Sequence, residues 1–162
     1  MTSSFIREIA LEDNEQVAKV IRKVLVDLGV PKVGTAYADK ALDAMFENYT
    51  APRSTYFVVV DNDEIIGCAG IAPLDNYDGD DVCELQKMYF LEAARGKGIG
   101  AKMMETCLKK AQEYKFKKVY LETMPYMEAA QKLYVKSGFK YIDAPMGNTG
   151  HYSCPVWMLK LL

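Results

Sequence analysis

The spacing of apolar residues along the chain alternates between two repeats. Stretches that alternate apolar with polar residues, or that are rich in β-branched residues, predict strands. Apolar residues three and four positions apart predict helices. The predicted strands cover residues 5–9, 56–60, 65–71, 82–90, 117–123, 139–142 and 156–161. The predicted helices cover about 14–28, 39–49, 101–114 and 127–136, with Asp13 or Asn14 expected to cap the first.

The order of these elements is β-α-α-β-β-β-α-β-α-β-β. Hairpins come first, and later strands are separated by helices, which is typical of an α/β (α+β) protein. We expect a mixed, mostly antiparallel sheet of about seven strands with helices on both faces. The chain of 162 residues shows no repeat, low-complexity tract or linker, so we expect residues 1–162 to form a single domain.

Composition narrows the possible partners. The net charge is -2, which argues against nucleic acid as the main partner. The sequence shows no secretory signal and no apolar run long enough to span a membrane, so we expect a cytoplasmic protein without a membrane partner. The four cysteines lack the paired spacing of zinc ligands, and no metal site is predicted.

A glycine-rich stretch between the strand at 82–90 and the following helix carries the clearest chemistry. It reads Arg-Gly-Lys-Gly-Ile-Gly over residues 95–100. Glycines allow the backbone to approach a ligand closely and to turn several N–H groups toward it. At the start of a helix, these groups and the positive end of the helix dipole favour phosphate. We therefore expect a phosphorylated cofactor here.

Several kinds of site share such a stretch. The P-loop pattern G-x-x-x-x-G-K-[ST] is absent. Gly96, Gly98 and Ala101 satisfy the dinucleotide pattern G-x-G-x-x-[G/A], and Glu122 lies near the expected acidic position. However, residues 91–95 separate the strand from the first glycine, and the chain is short for a doubly wound sheet. A glycine turn that binds no ligand is a further alternative.

The stretch and its surroundings resemble the GNAT (general N-acetyltransferase) superfamily. Arg95, Gly98 and Gly100 occupy the fixed positions of its [Q/R]-x-x-G-x-[G/A] motif. The segment 84–90 resembles the central strand of that family, and 130–139 resembles its A-x-x-L-Y-x-x-x-G-F helix. The predicted order of elements matches as well, so the resemblance covers nearly the whole chain.

The resemblance implies an acyl-coenzyme A N-acyltransferase fold and acetyl-coenzyme A as co-substrate. It implies transfer of an acetyl group to a primary amine, of a small molecule or of a protein, by direct attack on the thioester. A domain that binds coenzyme A as a sensor, without transfer, is the alternative. The residues implied in cofactor binding are Met88, Tyr89, Phe90, Arg95, Gly96, Lys97, Gly98, Ile99, Gly100 and Ala101.

Two residues are implied in proton transfer. Tyr134 occupies the family's tyrosine position, where a phenol can protonate the departing thiolate. Glu84 lies 11 positions before Arg95, where several relatives carry a glutamate that acts as a base. One position departs from the family: Met127 stands where many relatives place an asparagine that contacts the pantetheine arm.

The acceptor side is less well defined. His151, the one histidine, lies in the loop before the last strand, a position that borders the acceptor in this family, and it is a candidate substrate contact or alternative base. An acidic turn at 75–81 is either an attractor for a cationic amine or a solvated hairpin. An exposed final strand would allow the chain to form a homodimer.

Overall fold

One sheet of seven strands organises the protein. A computed structural model describes residues 4–33, 36–149 and 154–162. The strands are β1 Ser4–Glu8, β2 Thr55–Asp61, β3 Glu64–Pro73, β4 Val82–Phe90, β5 Lys118–Thr123, β6 Lys140–Ile142 and β7 Val156–Leu161. The helices are α1 Asn14–Asp27, α2 Met45–Asn48, α3 Ile99–Glu113 and α4 Glu128–Lys136.

The strands lie in the order β1-β2-β3-β4-β5-β7-β6. Strands β4 and β5 are parallel, whereas every other neighbouring pair is antiparallel. The chain crosses from β4 to β5 through α3, as a parallel connection requires. The predicted mixed, mostly antiparallel sheet of seven strands is confirmed.

The helices cover both faces of the sheet. The apolar stripe of α1 packs with α2 against one face, where Tyr56 and Val58 of β2 are buried. Helices α3 and α4 cover the other face, where Phe57 and Val59 are buried. Successive residues of β2 therefore contribute to two different cores, which explains why this strand is apolar without alternation.

The helix predicted over residues 39–49 is not continuous. Residues Lys40–Ala44 form a 3₁₀ turn, and α2 begins only at Met45. The backbone of Ala44, with φ −139° and ψ 47°, interrupts the helix between them. The Asp39 side chain accepts a hydrogen bond of 2.9 Å from the Ala41 N–H group and so caps the 3₁₀ turn.

Asp13 is the N-cap residue of α1, as predicted, but its side chain makes no capping hydrogen bond to this helix. The carboxylate of Asp13 makes a salt bridge of 2.7 Å with Arg7 of β1 and accepts a hydrogen bond from the Ala10 N–H group. The hydrogen bond from Arg7 holds the pKa of Asp13 below its ordinary value. The Asn14 side chain accepts from the Phe46 N–H group instead. Both side chains therefore join separate elements, and neither makes a capping hydrogen bond to α1.

The final strand is not an exposed edge. β7 lies between β5 and β6 and pairs with both, so the proposed route to a homodimer through this strand does not hold. Separately, none of the helices in the described part of the chain is long and apolar enough to cross a membrane.

Candidate active site

The sheet opens between β4 and β5. The two strands pair only where Val82, Cys83 and Glu84 meet residues 118–120. Beyond that point β4 continues to Phe90 and β5 to Thr123, but they no longer share a ladder. The open half of β4 keeps β3 on one side only. Its other side faces a gap in the sheet.

A β-bulge in β4 accompanies the opening. The register between β3 and β4 shifts by one residue between Gln86 and Tyr89. Lys87 within the bulge has a left-handed backbone with φ +48°, and its carbonyl accepts a hydrogen bond of 2.6 Å from the buried Tyr56 hydroxyl. This hydrogen bond holds the bulge against β2.

The bulge changes which side chains share a face. Leu85 before it and Met88 and Phe90 after it all pack on the side of α3 and α4. Tyr89 packs on the side of α1, which is the side that a regular strand would have reserved for Met88. The bulge therefore places Tyr89 on the same side of the sheet as Glu84.

A cavity of about 530 Å³ occupies the gap. It extends from the glycine stretch, between the open ends of β4 and β5, to the start of α4. Eight of the ten residues expected to bind the cofactor line it; Lys97 and Ala101 do not. The eight are Met88, Tyr89, Phe90, Arg95, Gly96, Gly98, Ile99 and Gly100.

The glycine stretch is shaped as an anion site. Gly96 and Gly98 have φ of +74° and +73°, a conformation that favours glycine, and α3 begins directly after them. Within the described chain, none of the N–H groups from 96 to 101 donates to another backbone group. Four of these residues, Gly96, Gly98, Ile99 and Gly100, line the cavity, so their N–H groups and the positive end of a helix of 15 residues lie at one end of it.

Tyr134 lies on α4 and lines the same cavity. It is 7% exposed, and its ring meets the ring of Phe139 edge-on at 6.0 Å between centroids. Its hydroxyl has no hydrogen-bond partner among the residues that the structure describes. Burial raises the pKa of Tyr134 to about 12, so the phenol keeps its proton and is available as a donor.

Glu84 lies in a smaller cavity of about 50 Å³ on the α1 side. The two cavities share lining residues at the gap, including Tyr89, Glu122 and Thr123. Glu84 is only 4% exposed, and burial raises its pKa to about 7. A carboxyl group with such a pKa is present in both protonation states near neutral pH, as a general base requires.

Two further positions from the sequence analysis are Met127 and His151. Met127 lines both cavities, and its sulfur accepts a hydrogen bond of 3.4 Å from the Thr123 hydroxyl. A thioether therefore stands where relatives have an amide. His151 lies outside the described residues.

The sequence did not indicate several lining residues. Val24 and Leu28 come from the end of α1, and Tyr126 comes from the loop before α4. The apolar spacing of α1 predicted a buried face for Val24 and Leu28, but buried faces look alike whether they meet a core or a cavity. The sequence pattern indicates Glu122 only as the acidic residue of a dinucleotide site.

Comparison with known proteins agrees with this geometry. The model of the Acetyltransferase (GNAT) family matches residues 21–139. The chain is 42% identical over 161 residues to the Uncharacterized N-acetyltransferase YjgM of Escherichia coli (strain K12), covering 99% of this chain and 96% of that protein.

Solved structures share the fold. An acetyltransferase of the GNAT family from Staphylococcus aureus Mu50 has a TM-score of 0.85 at 20% identity, covering 99% of both chains. The PaiA N-acetyltransferase from Thermoplasma acidophilum, in complex with coenzyme A, has a TM-score of 0.78 at 18% identity, again covering 99% of both. With the family match and the relative of full length, these findings establish that the chain belongs to the GNAT family and is an N-acetyltransferase of that type.

Proposed function

We propose that the protein transfers the acetyl group of acetyl-coenzyme A to a primary amine, with the thioester in the gap between β4 and β5. One observation carries this proposal. The gap leads from the glycine stretch, which is suited to anions, to the buried carboxyl group of Glu84 on the opposite side of the sheet. The protonated phenol of Tyr134, on α4, lines the same gap.

The residues present fit coenzyme A. The N–H groups from 96 to 101 are suited to its pyrophosphate, and the side chains of Arg95 and Lys97 add positive charge nearby. Past Glu84, the backbone of β4 has no β5 partner, so the groups of Met88 and Phe90 are suited to the pantetheine amides. The solved relative that contains coenzyme A supports this assignment.

Glu84 is proposed as the base. An alkylamine with a pKa of about 10.4 is almost fully protonated at neutral pH and cannot attack in that form. Glu84, directly or through water, accepts the proton that the amine must lose. Its position on the α1 side would put the acceptor across the gap from the glycine stretch.

Tyr134 is proposed as the acid. Acetyl-coenzyme A supplies an activated acyl carbon, and the bond from the amine nitrogen to that carbon forms as the bond to sulfur breaks. The departing sulfur takes the proton of Tyr134 and leaves as a neutral thiol. The Tyr134 phenolate then regains a proton from solvent, which receives the second proton that the nitrogen loses as the amide forms. The absence of another partner for this hydroxyl in the described chain supports the role.

A thiol-release assay tests the proposal. Acetyl-coenzyme A would be mixed with the protein and a panel of amines: amino acids, polyamines, an aminoglycoside and peptides with a free α-amine or lysine. We expect at least one amine to accelerate thiol release and to gain an acetyl group by mass spectrometry. If coenzyme A binds but no amine accelerates release, transfer to a primary amine of these classes is wrong.

A further inference from the structure

Three side chains form a hydrogen-bonded chain that ends at Glu84. The hydroxyl of Tyr49, the residue after α2, donates to Oε1 of Gln86 at 2.5 Å. The amide Nε2 of Gln86 donates in turn to Oε1 of Glu84 at 2.7 Å. Gln86 and Glu84 are two positions apart on β4, so both side chains lie on the α1 side of the sheet.

When Glu84 is ionised, its carboxylate sets the direction of this chain. An ionised carboxylate only accepts hydrogen bonds, so the NH₂ group of Gln86 must face Glu84. The carbonyl oxygen of Gln86 must then face Tyr49, which has to be the donor. Tyr49 is 9% exposed, and burial raises its pKa well above the ordinary value, so it retains the proton that it donates.

The chain holds one oxygen of Glu84 and leaves the other. Oε1 accepts from Gln86, whereas Oε2 has no hydrogen-bond partner among the described residues. Glu84 lines the small cavity on the α1 side. The ring of Tyr49 is itself fixed, because it packs on the Tyr56 ring at 4.8 Å between centroids. Tyr49 and Gln86 therefore restrain the position of the Glu84 carboxylate.

We propose that Gln86, oriented by Tyr49, is a positioning residue that holds Glu84 in its ionised form, with the unpartnered oxygen available to the acceptor amine. This inference rests on the proposed role of Glu84 as the base. Since a hydrogen bond to a charged acceptor is stronger than one to a neutral acceptor, the chain offsets part of the cost of burying the carboxylate.

Other charged and titratable groups also act on Glu84. Glu122 of β5 and Asp75 after β3 raise its pKa, and Lys87 lowers it. Lys87 is held by a salt bridge of 3.3 Å to Asp39. Neutral titratable groups that share this surrounding are Tyr49, Cys83, Tyr120 and Cys154. None of these groups donates a hydrogen bond to Glu84 in the described chain, so Gln86 has a distinct role.

The carboxyl carbon of Glu84 provides a direct readout. In protein labelled with ¹³C-glutamate, its NMR signal is identified by its absence from Glu84→Gln. In Gln86→Met, which keeps the side chain's length but not the donor, we expect the pKa of Glu84 to rise by roughly one unit. In Tyr49→Phe, Gln86 keeps its donor but loses its orientation, so we expect a smaller rise.

Turnover gives the second readout. The acidic limb of kcat/KM is measured with acetyl-coenzyme A and the best amine of the panel. In each variant, this limb should move to higher pH by as much as the pKa of Glu84 rises in the NMR titration. Activity lost at neutral pH should return at high pH. A structural defect would instead lower the whole profile without moving the limb.

A second tyrosine–glutamine pair serves as a matched control. The Tyr141 hydroxyl donates to Oε1 of Gln131 at 2.8 Å, and the Gln131 amide donates to the Met124 carbonyl rather than to a carboxylate. Tyr141→Phe should therefore leave the titration of Glu84 and the limb in place. An unchanged titration in folded Gln86→Met and Tyr49→Phe would overturn the inference. Wild-type protein that is inactive with every amine would overturn the proposed function itself, and with it the role of Glu84 as a base.

Discussion

The two halves of β4 differ in what surrounds their backbone. The first half, Val82 to Glu84, has β3 on one side and β5 on the other. The second half, after the bulge at Lys87, keeps β3 but loses β5, and a cavity takes the place of the missing strand. One continuous strand therefore serves as core in one half and as cavity wall in the other.

The comparison shows how a sheet can make a binding site without an extra domain. A buried backbone group that lacks a strand partner must find another partner, and a ligand with amide groups can provide it. In the paired half the same groups are satisfied within the protein. Changes in the open half should therefore affect binding and turnover, whereas changes in the paired half should affect stability.

The largest effect is expected at Tyr134, beside the open half. Tyr134→Phe removes the proposed proton donor and leaves the ring in place. We expect turnover to fall by about 100-fold or more, while the affinity for coenzyme A changes little. Steady-state kinetics and titration calorimetry measure the two quantities.

Tyr114→Phe is the matched control for that variant. Its hydroxyl forms a hydrogen bond with the Thr55 hydroxyl, away from the gap. Turnover in this variant should stay near that of the wild type. Equal turnover in Tyr134→Phe and the wild type would remove Tyr134 from the mechanism.

Glu84, where the two halves meet, should produce the next largest effect. Glu84→Gln keeps an acceptor for Gln86 but cannot take a proton. We expect turnover at neutral pH to fall by roughly 10- to 100-fold, with loss of the acidic limb near pH 7. A variant that keeps that limb would show that another group is the base.

The same substitution should change stability in a pH-dependent way. The folded-state pKa of Glu84 is about 7, above the ordinary value of 4.5, so the folded protein binds this proton more tightly than the unfolded chain. The stability it contributes is complete below pH 4.5 and is lost as the pH rises through 7. Urea unfolding should show that Glu84→Gln is more stable than the wild type by about 3 kcal/mol at pH 8, and not at pH 4.

A moderate effect is expected in the glycine stretch. Gly98→Ala forces a side chain into a left-handed backbone at the start of α3. We expect the affinity for coenzyme A to fall by roughly 5- to 10-fold, because the loop must deform to relieve a strain of about 1–2 kcal/mol. Calorimetry with coenzyme A measures the loss.

Gly138→Ala imposes a comparable strain elsewhere. Gly138 has φ +100°, follows α4 and lies against the flexible end of the Lys160 side chain, away from the gap. It should lower stability without changing the affinity for coenzyme A. An equal loss of affinity in both variants would mean that the glycine stretch has no special role.

The smallest effect on function is expected in the paired half. Val119 of β5 pairs with Cys83 and is 0% exposed. Val119→Ala removes two buried methyl groups, and we expect the free energy of unfolding to fall by about 1.5–2.5 kcal/mol. Affinity for coenzyme A should stay within a factor of two or so, since the cavity lies beyond this pair. A large loss of affinity would contradict the expectation that changes in the paired half affect stability and not binding.

Most of the fold could be predicted from the sequence. The strands were predicted because β-branched runs, such as the one in β2, and turn residues are local signals. The predicted helix over 39–49 failed because its spacing could not reveal the break at Ala44. Local capping signals correctly placed Asp13 at the start of α1, but they could not show that its side chain pairs with Arg7 on another element.

The site was predictable where a motif is continuous in sequence. Of the ten residues that the resemblance implied in cofactor binding, eight line the cavity. The gap itself depends on where two distant strands stop pairing, and no local pattern records that point. The bulge at Lys87 and the contact between Tyr49 and Gln86, 37 positions apart, are likewise products of tertiary structure.

Backbone amide NMR with coenzyme A would show whether the open half of β4 and the glycine stretch form the binding surface. Titration of ¹⁵N-labelled protein would follow every amide of β4 at once. We predict that the largest shifts fall on the amides of 88–90 and 96–101, while those of 82–84 and 118–120 stay nearly unchanged. Shifts that concentrate on the amides of the paired half, 82–84 and 118–120, would contradict it.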